Sequence, residues 1–202
     1  MKVLIACEYS GIVREAFKAR GHDAWSCDLL DTEIPGNHIK GDVLEILDGG
    51  WGLMIAHPPC TYFANAGLHY LKTKPERKGQ QKESFKFWMK LWNAPIAKIA
   101  MENPIGWLNT HWRKPNQIIQ PYYFGDDELK TTCLWLKGLP RLNGRIEIAL
   151  SGYKRKPKGS VIRKSGVKKG QVYNYYWRAG KSAKNRSRTF PGIAKAMAEQ
   201  WR

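Results

Sequence analysis

Short apolar runs alternate with segments of helical period along most of this chain, and that alternation constrains its fold more than any other feature. Val3 to Cys7 is apolar at strand length, and Gly11 to Arg20 carries Val13, Ala16 and Phe17 on one helical face before Gly21 stops it. Ala24 to Cys27 predicts a second strand that ends at Asp28, Asp42 to Leu47 a short segment after Gly41, and Leu53 to Ala56 a third strand. Gln81 to Trp92 places Phe85, Trp88, Met89 and Trp92 on one face of a helix, which Pro95 closes. Ile96 to Met101 returns as a strand running into Glu102-Asn103-Pro104, and Thr131 to Leu136 is another. Ile193, Met197 and Trp201 form the stripe of a last helix introduced by Pro191. This order predicts an α/β fold with a Rossmann-like, doubly wound, mostly parallel sheet, in one domain over residues 1–202.

Two stretches lack such periodicity. Thr73 to Gln81 is polar and rich in breakers, and is expected either as a mobile lid or as a solvated connection. Residues 143–188 are expected as a basic, irregular or hairpin-like insertion, with 189–202 returning as a helix on the core. Between residues 141 and 188 fifteen Lys or Arg face the single acid Glu147, so +14 of the net +17 lies there. Tyr153, Tyr173, Tyr175, Tyr176 and Trp177 are interleaved with them, a mixture suited to phosphate contact and base stacking. Lys154, Arg155, Lys156, Lys158, Lys168, Lys169, Arg186 and Arg188 are therefore the candidate nucleic-acid contacts, against the alternative of a solvated basic surface. The four cysteines, Cys7, Cys27, Cys60 and Cys133, form no CxxC pair, so no metal site and no disulfide framework is expected. No apolar run has the length of a membrane span, and a cytoplasmic protein of a bacterial cell or phage-infected host is expected.

The chemistry concentrates in His57-Pro58-Pro59-Cys60-Thr61, directly after the Leu53 to Ala56 strand. Two prolines fix the backbone and present one thiol at the carboxyl edge of the sheet, where open α/β sheets bind ligands. The alternative is a small buried Cys beside a rigid turn. Glu8-Tyr9-Ser10-Gly11 follows the first strand and is expected to turn backbone N–H groups at a helix amino end toward a polar ligand. Asp28 stands at about the 20-residue offset at which dinucleotide folds bind ribose. The full GxGxxG is absent, so a plain βαβ turn stays open as the other reading.

Taken in order, Tyr9-Ser10-Gly11, Asp28, Gly41-Asp42-Val43, Pro58-Pro59-Cys60 with Gly67 downstream, and Met101-Glu102-Asn103-Pro104 resemble the motifs of the DNA cytosine-C5 methyltransferases, over Ala6 to about Asn103. Thr131 to Leu136 and Ser187 to Trp201 are a weaker echo. The resemblance implies the S-adenosylmethionine-dependent methyltransferase type of sheet and a cofactor held by Tyr9, Ser10, Gly11, Asp28, Asp42, Val43 and Pro58. It also implies a methyl group transferred to C5 of cytosine in DNA, duplex or single-stranded, through a covalent bond from Cys60 to C6. Glu102 and Asn103 would recognise and activate the base, and Lys130 would be the nearby cation. The sequence departs from the family pattern at Ile12-Val13, Thr61 and Pro104, has no clean Arg-x-Arg counterpart, with Lys130-Thr131-Thr132 nearest in position and Arg186-Ser187-Arg188 nearest in letters, and has no room for a separate target-recognition domain. Modification of a cytidine nucleotide, transfer of another group, and a catalytically silent fold that binds nucleic acid are the alternatives.

Overall fold

A computed structural model describes residues 1–68, 70–144, 159–162, 170–175 and 187–201. Its strands are β1 (Lys2–Ala6), β2 (Asp23–Asp28), β3 (His38–Lys40), β4 (Leu53–Ala56), β5 (Lys98–Pro104), β6 (Gln117–Ile119) and β7 (Thr132–Lys137), followed by a pair, β8 (Gly159–Ile162) and β9 (Val172–Tyr175). The helices are α1 (Ile12–Lys18), α2 (Asn65–Leu68), α3 (Tyr70–Thr73), α4 (Glu76–Trp92), α5 (Trp107–His111) and α6 (Pro191–Gln200), with short 3-10 turns at Val43–Ile46 and Pro121–Phe124.

Seven strands form one mixed sheet in the order β3-β2-β1-β4-β5-β7-β6. The run from β3 to β5 is parallel, and β7 is antiparallel to both β5 and β6. The chain builds outward from β1 through β2 to β3, then returns to place β4 on the other side of β1. That reversal between β1 and β4 is the switch point at which Rossmann-like sheets open a crevice beyond the strand ends. The architecture is thus α/β with a mostly parallel sheet, compatible with a Rossmann-like fold. β8 and β9 pair antiparallel with each other.

Alternation along the strands sorts the core into two layers. Val3 and Ile5 of β1 face a cluster with Val13 and Phe17 of α1, Ile193 and Met197 of α6, and Trp201 just after α6. Leu4 and Ala6 face the opposite cluster with Trp88 and Leu91 of α4, Leu108 of α5 and Trp135 of β7. Trp88 meets Phe63, Trp112 and Trp135 edge-on, with ring centroids 6.2, 5.5 and 5.2 Å away.

The structure corrects the reading of Thr73 to Gln81, because α4 begins at Glu76. Pro75 has φ −56° and suits a helix start, and Glu76 complements the positive end of the helix. Gly79 lowers helix propensity by about 1 kcal/mol, which the burial of Trp88 and Leu91 farther along offsets. Strand β3, too short and polar to read as a strand, forms because Ser26, Cys27 and Asp28 pair it in register with His38, Ile39 and Lys40.

Candidate active site

The turn after β1 is held from within. Cys7 adopts φ +58°, rare for a residue with a side chain, and turns the chain into Glu8. The buried Glu8 carboxylate accepts hydrogen bonds from the Val13 N–H at 2.8 Å, the Arg14 N–H at 3.2 Å and the Ser10 hydroxyl at 2.9 Å. The Ile12 N–H donates to Ser10 Oγ at 3.3 Å. This corrects the expectation that the amino end of α1 offers N–H groups to a ligand, because the protein's own carboxylate takes them. Ser10 is buried in the same network, and Tyr9 is buried with its hydroxyl 2.9 Å from Ser187 Oγ. At Gly11, φ is +77° and a Cβ would lie 2.8 Å from the guanidinium of Arg14. Arg14 is fully buried and donates to Ser26 Oγ, Thr32 Oγ1 and the Ile34 carbonyl, clamping the loop after β2.

Beyond the ends of β1 and β2 lies a cleft of about 240 Å³, lined by Cys7, Cys27, Asp28, Leu29, Gly41, Asp42, Val43, Pro59 and Phe87. It collects Asp28, Asp42 and Val43 from the predicted cofactor set, while Tyr9, Ser10 and Gly11 do not line it. Asp28 Oδ1 accepts from the Leu30 N–H at 3.0 Å, and Asp42 Oδ1 from the Leu44 N–H at 3.0 Å. A second cavity of about 330 Å³, lined by Pro58, Pro59, Glu83, Ser84 and Phe87, adjoins the first across Pro59 and Phe87. Carboxylates facing apolar walls fit a nucleoside's hydroxyls and ring. The cleft is also electronegative. Burial, then Asp28, push the Cys7 thiol far up, and the same two causes raise Cys27 to about 11. The Asp28 and Asp42 carboxylates in the lining of the cleft favour a cationic ligand.

On the other side of Pro58 and Pro59 stands Cys60, the one exposed thiol of the four. Its carbonyl accepts the N–H groups of Phe63 and Ala64, at 3.0 and 2.9 Å, so the chain turns directly after the sulfur. Asn103 Nδ2 donates to the Pro58 carbonyl at 2.9 Å and ties this loop to the end of β5. Gly106 completes the contact. A Cβ there would lie 1.9 Å from the Phe63 carbonyl oxygen, which instead accepts the Trp107 N–H at 2.8 Å. Gly67 approaches the Thr61 carbonyl similarly, with 2.5 Å to a Cβ.

Glu102 lies at the same edge, its side chain 18% exposed, with Oε2 3.4 Å from His57 Nδ1. Burial pushes its carboxyl up, but the hydrogen bond from His57 and the charges of Lys130 and His57 outweigh burial and hold it below the usual carboxylate range. An ionised carboxylate only accepts, so His57 Nδ1 is the donor in this contact. His57 Nε2 and Asn103 Oδ1 are buried and find no hydrogen-bond partner among the described residues. His57 was not among the sequence-derived candidates, and its position one residue before the Pro-Pro pair was the available signal. Cys133 is buried, and burial pushes its thiol up, against a lowering hydrogen bond from Asn109.

Lys130 reaches this edge ahead of β7, donating to the Arg188 carbonyl at 3.3 Å. Arg188 pairs with Glu33 at 2.8 Å, so this predicted nucleic-acid contact is engaged in holding the segment from 187 to 190 across the rim. Lys154, Arg155, Lys156, Lys158, Lys168, Lys169 and Arg186 lie outside the described residues. Among the described residues no group of three or more His, Cys, Asp or Glu could hold a metal ion, and no helix is long and apolar enough to cross a membrane. No protein-family model matches the chain, and no curated protein matches it.

Proposed function

We propose that the protein transfers a methyl group from S-adenosylmethionine to C5 of cytosine in DNA, with Cys60 as nucleophile. The observation that carries this reading is the placement of an exposed thiol after β4 and of a largely buried carboxylate, Glu102, near the end of the neighbouring strand β5, with a nucleoside-sized cleft lined by Asp28, Asp42 and Pro59 at the same sheet edge. Burial disfavours the thiolate at Cys7, Cys27 and Cys133, which leaves Cys60 as the sulfur placed for attack. Asp28 and Asp42 would hold the ribose and adenine of the cofactor, with Val43 and Phe87 against the ring. When bound, the cofactor supplies an electrophilic methyl group.

The protein's own part is then to make C5 reactive. Cys60 loses its proton to solvent and its sulfur adds to C6 as N3 takes up a proton, which leaves C5 as an enamine nucleophile. Glu102 accepts the exocyclic amine N–H and stabilises a proton on N3, which withdraws electrons from C6 and selects cytosine over thymine. After transfer a water molecule takes the C5 proton, the electrons of that bond form the C5–C6 double bond and expel the Cys60 sulfur as a thiolate, and N3 gives up its proton. In a duplex the base must leave the stack for this to occur.

The test is mass spectrometry of nucleosides from DNA incubated with the protein and S-adenosylmethionine, in parallel with DNA carrying 5-fluorocytosine. The expected results are 5-methylcytosine in the first and an adduct on Cys60 in the second, both lost in Cys60→Ser. An adduct on any other cysteine, or methylation by Cys60→Ser, refutes the mechanism.

A further inference from the structure

Helix α4 carries a row of cations. Lys78, Lys82, Lys86 and Lys90 are exposed and recur every four residues, with Lys74 one step ahead of the helix. Each step advances about 6 Å along the axis and rotates about 40° around it. Lys82, Lys86 and Lys90 lie opposite the buried Trp88 and Leu91, and the rotation carries the row toward the Cys60 loop at its amino end. There Arg77 donates to the Thr61 carbonyl at 3.4 Å, and Gln81 to the Tyr62 carbonyl at 2.7 Å. The Arg77 guanidinium lies 4.8 Å from the Tyr62 ring and 5.6 Å from the Tyr70 ring, and Lys74 Nζ is 5.8 Å from the latter.

Like charges at i and i+4 destabilise a helix. In this row Lys86 pairs with Glu83 at 2.8 Å, while Lys78, Lys82 and Lys90 have no ion-pair partner among the described residues. A polyanion would remove that repulsion. The 6 Å step is close to the distance between neighbouring phosphates of an extended strand, and Tyr70, 43% exposed beside two cations, is a surface on which a base can stack. We propose that α4 and the Tyr62–Arg77–Tyr70 cluster form a track for one nucleic-acid strand, with phosphates along Lys78 to Lys90 and a base stacked on Tyr70 next to the Cys60 loop. The track rests on the reading that the substrate is a polynucleotide, and does not depend on which group is transferred.

The experiment measures binding of a 20-nucleotide single-stranded DNA by fluorescence anisotropy at several salt concentrations. The variant K78Q/K82Q/K90Q should lower the slope of log affinity against log salt by about 2, from three lost contacts at about 0.7 each. Lys195→Gln, on α6, should leave the slope unchanged. Tyr70→Leu should bind at least about fivefold more weakly, the low end of one lost stacking contact, with Tyr70→Phe restoring it. Because the triple variant removes like-charge repulsion, it should melt no lower than the parent. An unchanged slope overturns the track, as does polyglutamate binding as tightly as DNA with the same dependence on the three lysines. Absence of 5-methylcytosine with the slope difference intact refutes the proposed reaction and leaves the track standing.

Discussion

Replacing Glu8 by Ala should destabilise the fold by an amount that the surrounding bonds allow to be worked out. The carboxylate satisfies two backbone N–H groups and one hydroxyl, at 2.8, 3.2 and 2.9 Å, in a turn where Glu8 is 4% exposed. An orphaned buried donor costs about 1–3 kcal/mol. The Ser10 hydroxyl can rotate to another acceptor, while the Val13 and Arg14 N–H groups are fixed by α1, so two full penalties remain. Relief of the buried charge and water entry offset part of them, leaving about 2–5 kcal/mol, against a total stability of about 5–15 kcal/mol. Glu8→Gln keeps one acceptor oxygen but turns an NH2 group toward a donor, and should cost about 1–2 kcal/mol. Ser10→Ala removes one neutral contact and should cost about 1 kcal/mol. Urea unfolding followed by tryptophan fluorescence measures all three, since the chain has nine Trp. Cys7, left-handed and directly before Glu8, lines the cleft, so S-adenosylmethionine binding should weaken in the order of the stability losses. A Glu8→Ala protein within about 0.5 kcal/mol of the parent would show that the carboxylate does not anchor the helix end, and would refute this account of the turn.

Asp28→Ala and Asp42→Ala should each weaken S-adenosylmethionine binding by about 1–3 kcal/mol in calorimetry; unchanged affinity would remove the cleft as the cofactor site. His57→Phe deletes the donor that opposes burial at Glu102, so the folded pKa of that carboxyl should rise. In the parent, the stability from ionised Glu102 is present above the ordinary carboxylate pKa and lost as pH falls through the lower folded value; in the variant the acid loss of transfer rate should begin at higher pH. A superimposable acid limb would discard this role for His57. Gly106→Ala must displace the Phe63 carbonyl, so it should cost about 1–3 kcal/mol and impair transfer while the cofactor still binds; a parent-like melting curve would contradict that.

Apolar periodicity is local, and it made much of the fold legible in the sequence. Leu53 to Ala56 forms a strand at its predicted bounds, the α1 and α4 stripes face the core, and Pro58-Pro59-Cys60 and Glu102-Asn103 lie at the carboxyl edge, because a buried strand run followed by turn residues leaves little choice of where a chain emerges. Asp28, which ends β2, reaches the same edge for that reason, whereas Asp42 enters the shared cleft through β3, which forms only by pairing with β2. What the tertiary structure alone decided are the partners of polar groups, since these depend on which distant backbone arrives at a given side chain. The Glu8-Tyr9-Ser10-Gly11 turn reads as offering the N–H groups of α1 to a ligand until the Glu8 carboxylate takes two of them. His57 acquires its role only when β5 brings Glu102 alongside β4, and Arg188 is engaged because Glu33, 155 positions away in the chain, meets it at the rim. The lysine row likewise takes shape only once α4 starts at Glu76, since a four-residue spacing lines up cations on a helix and scatters them along an irregular loop.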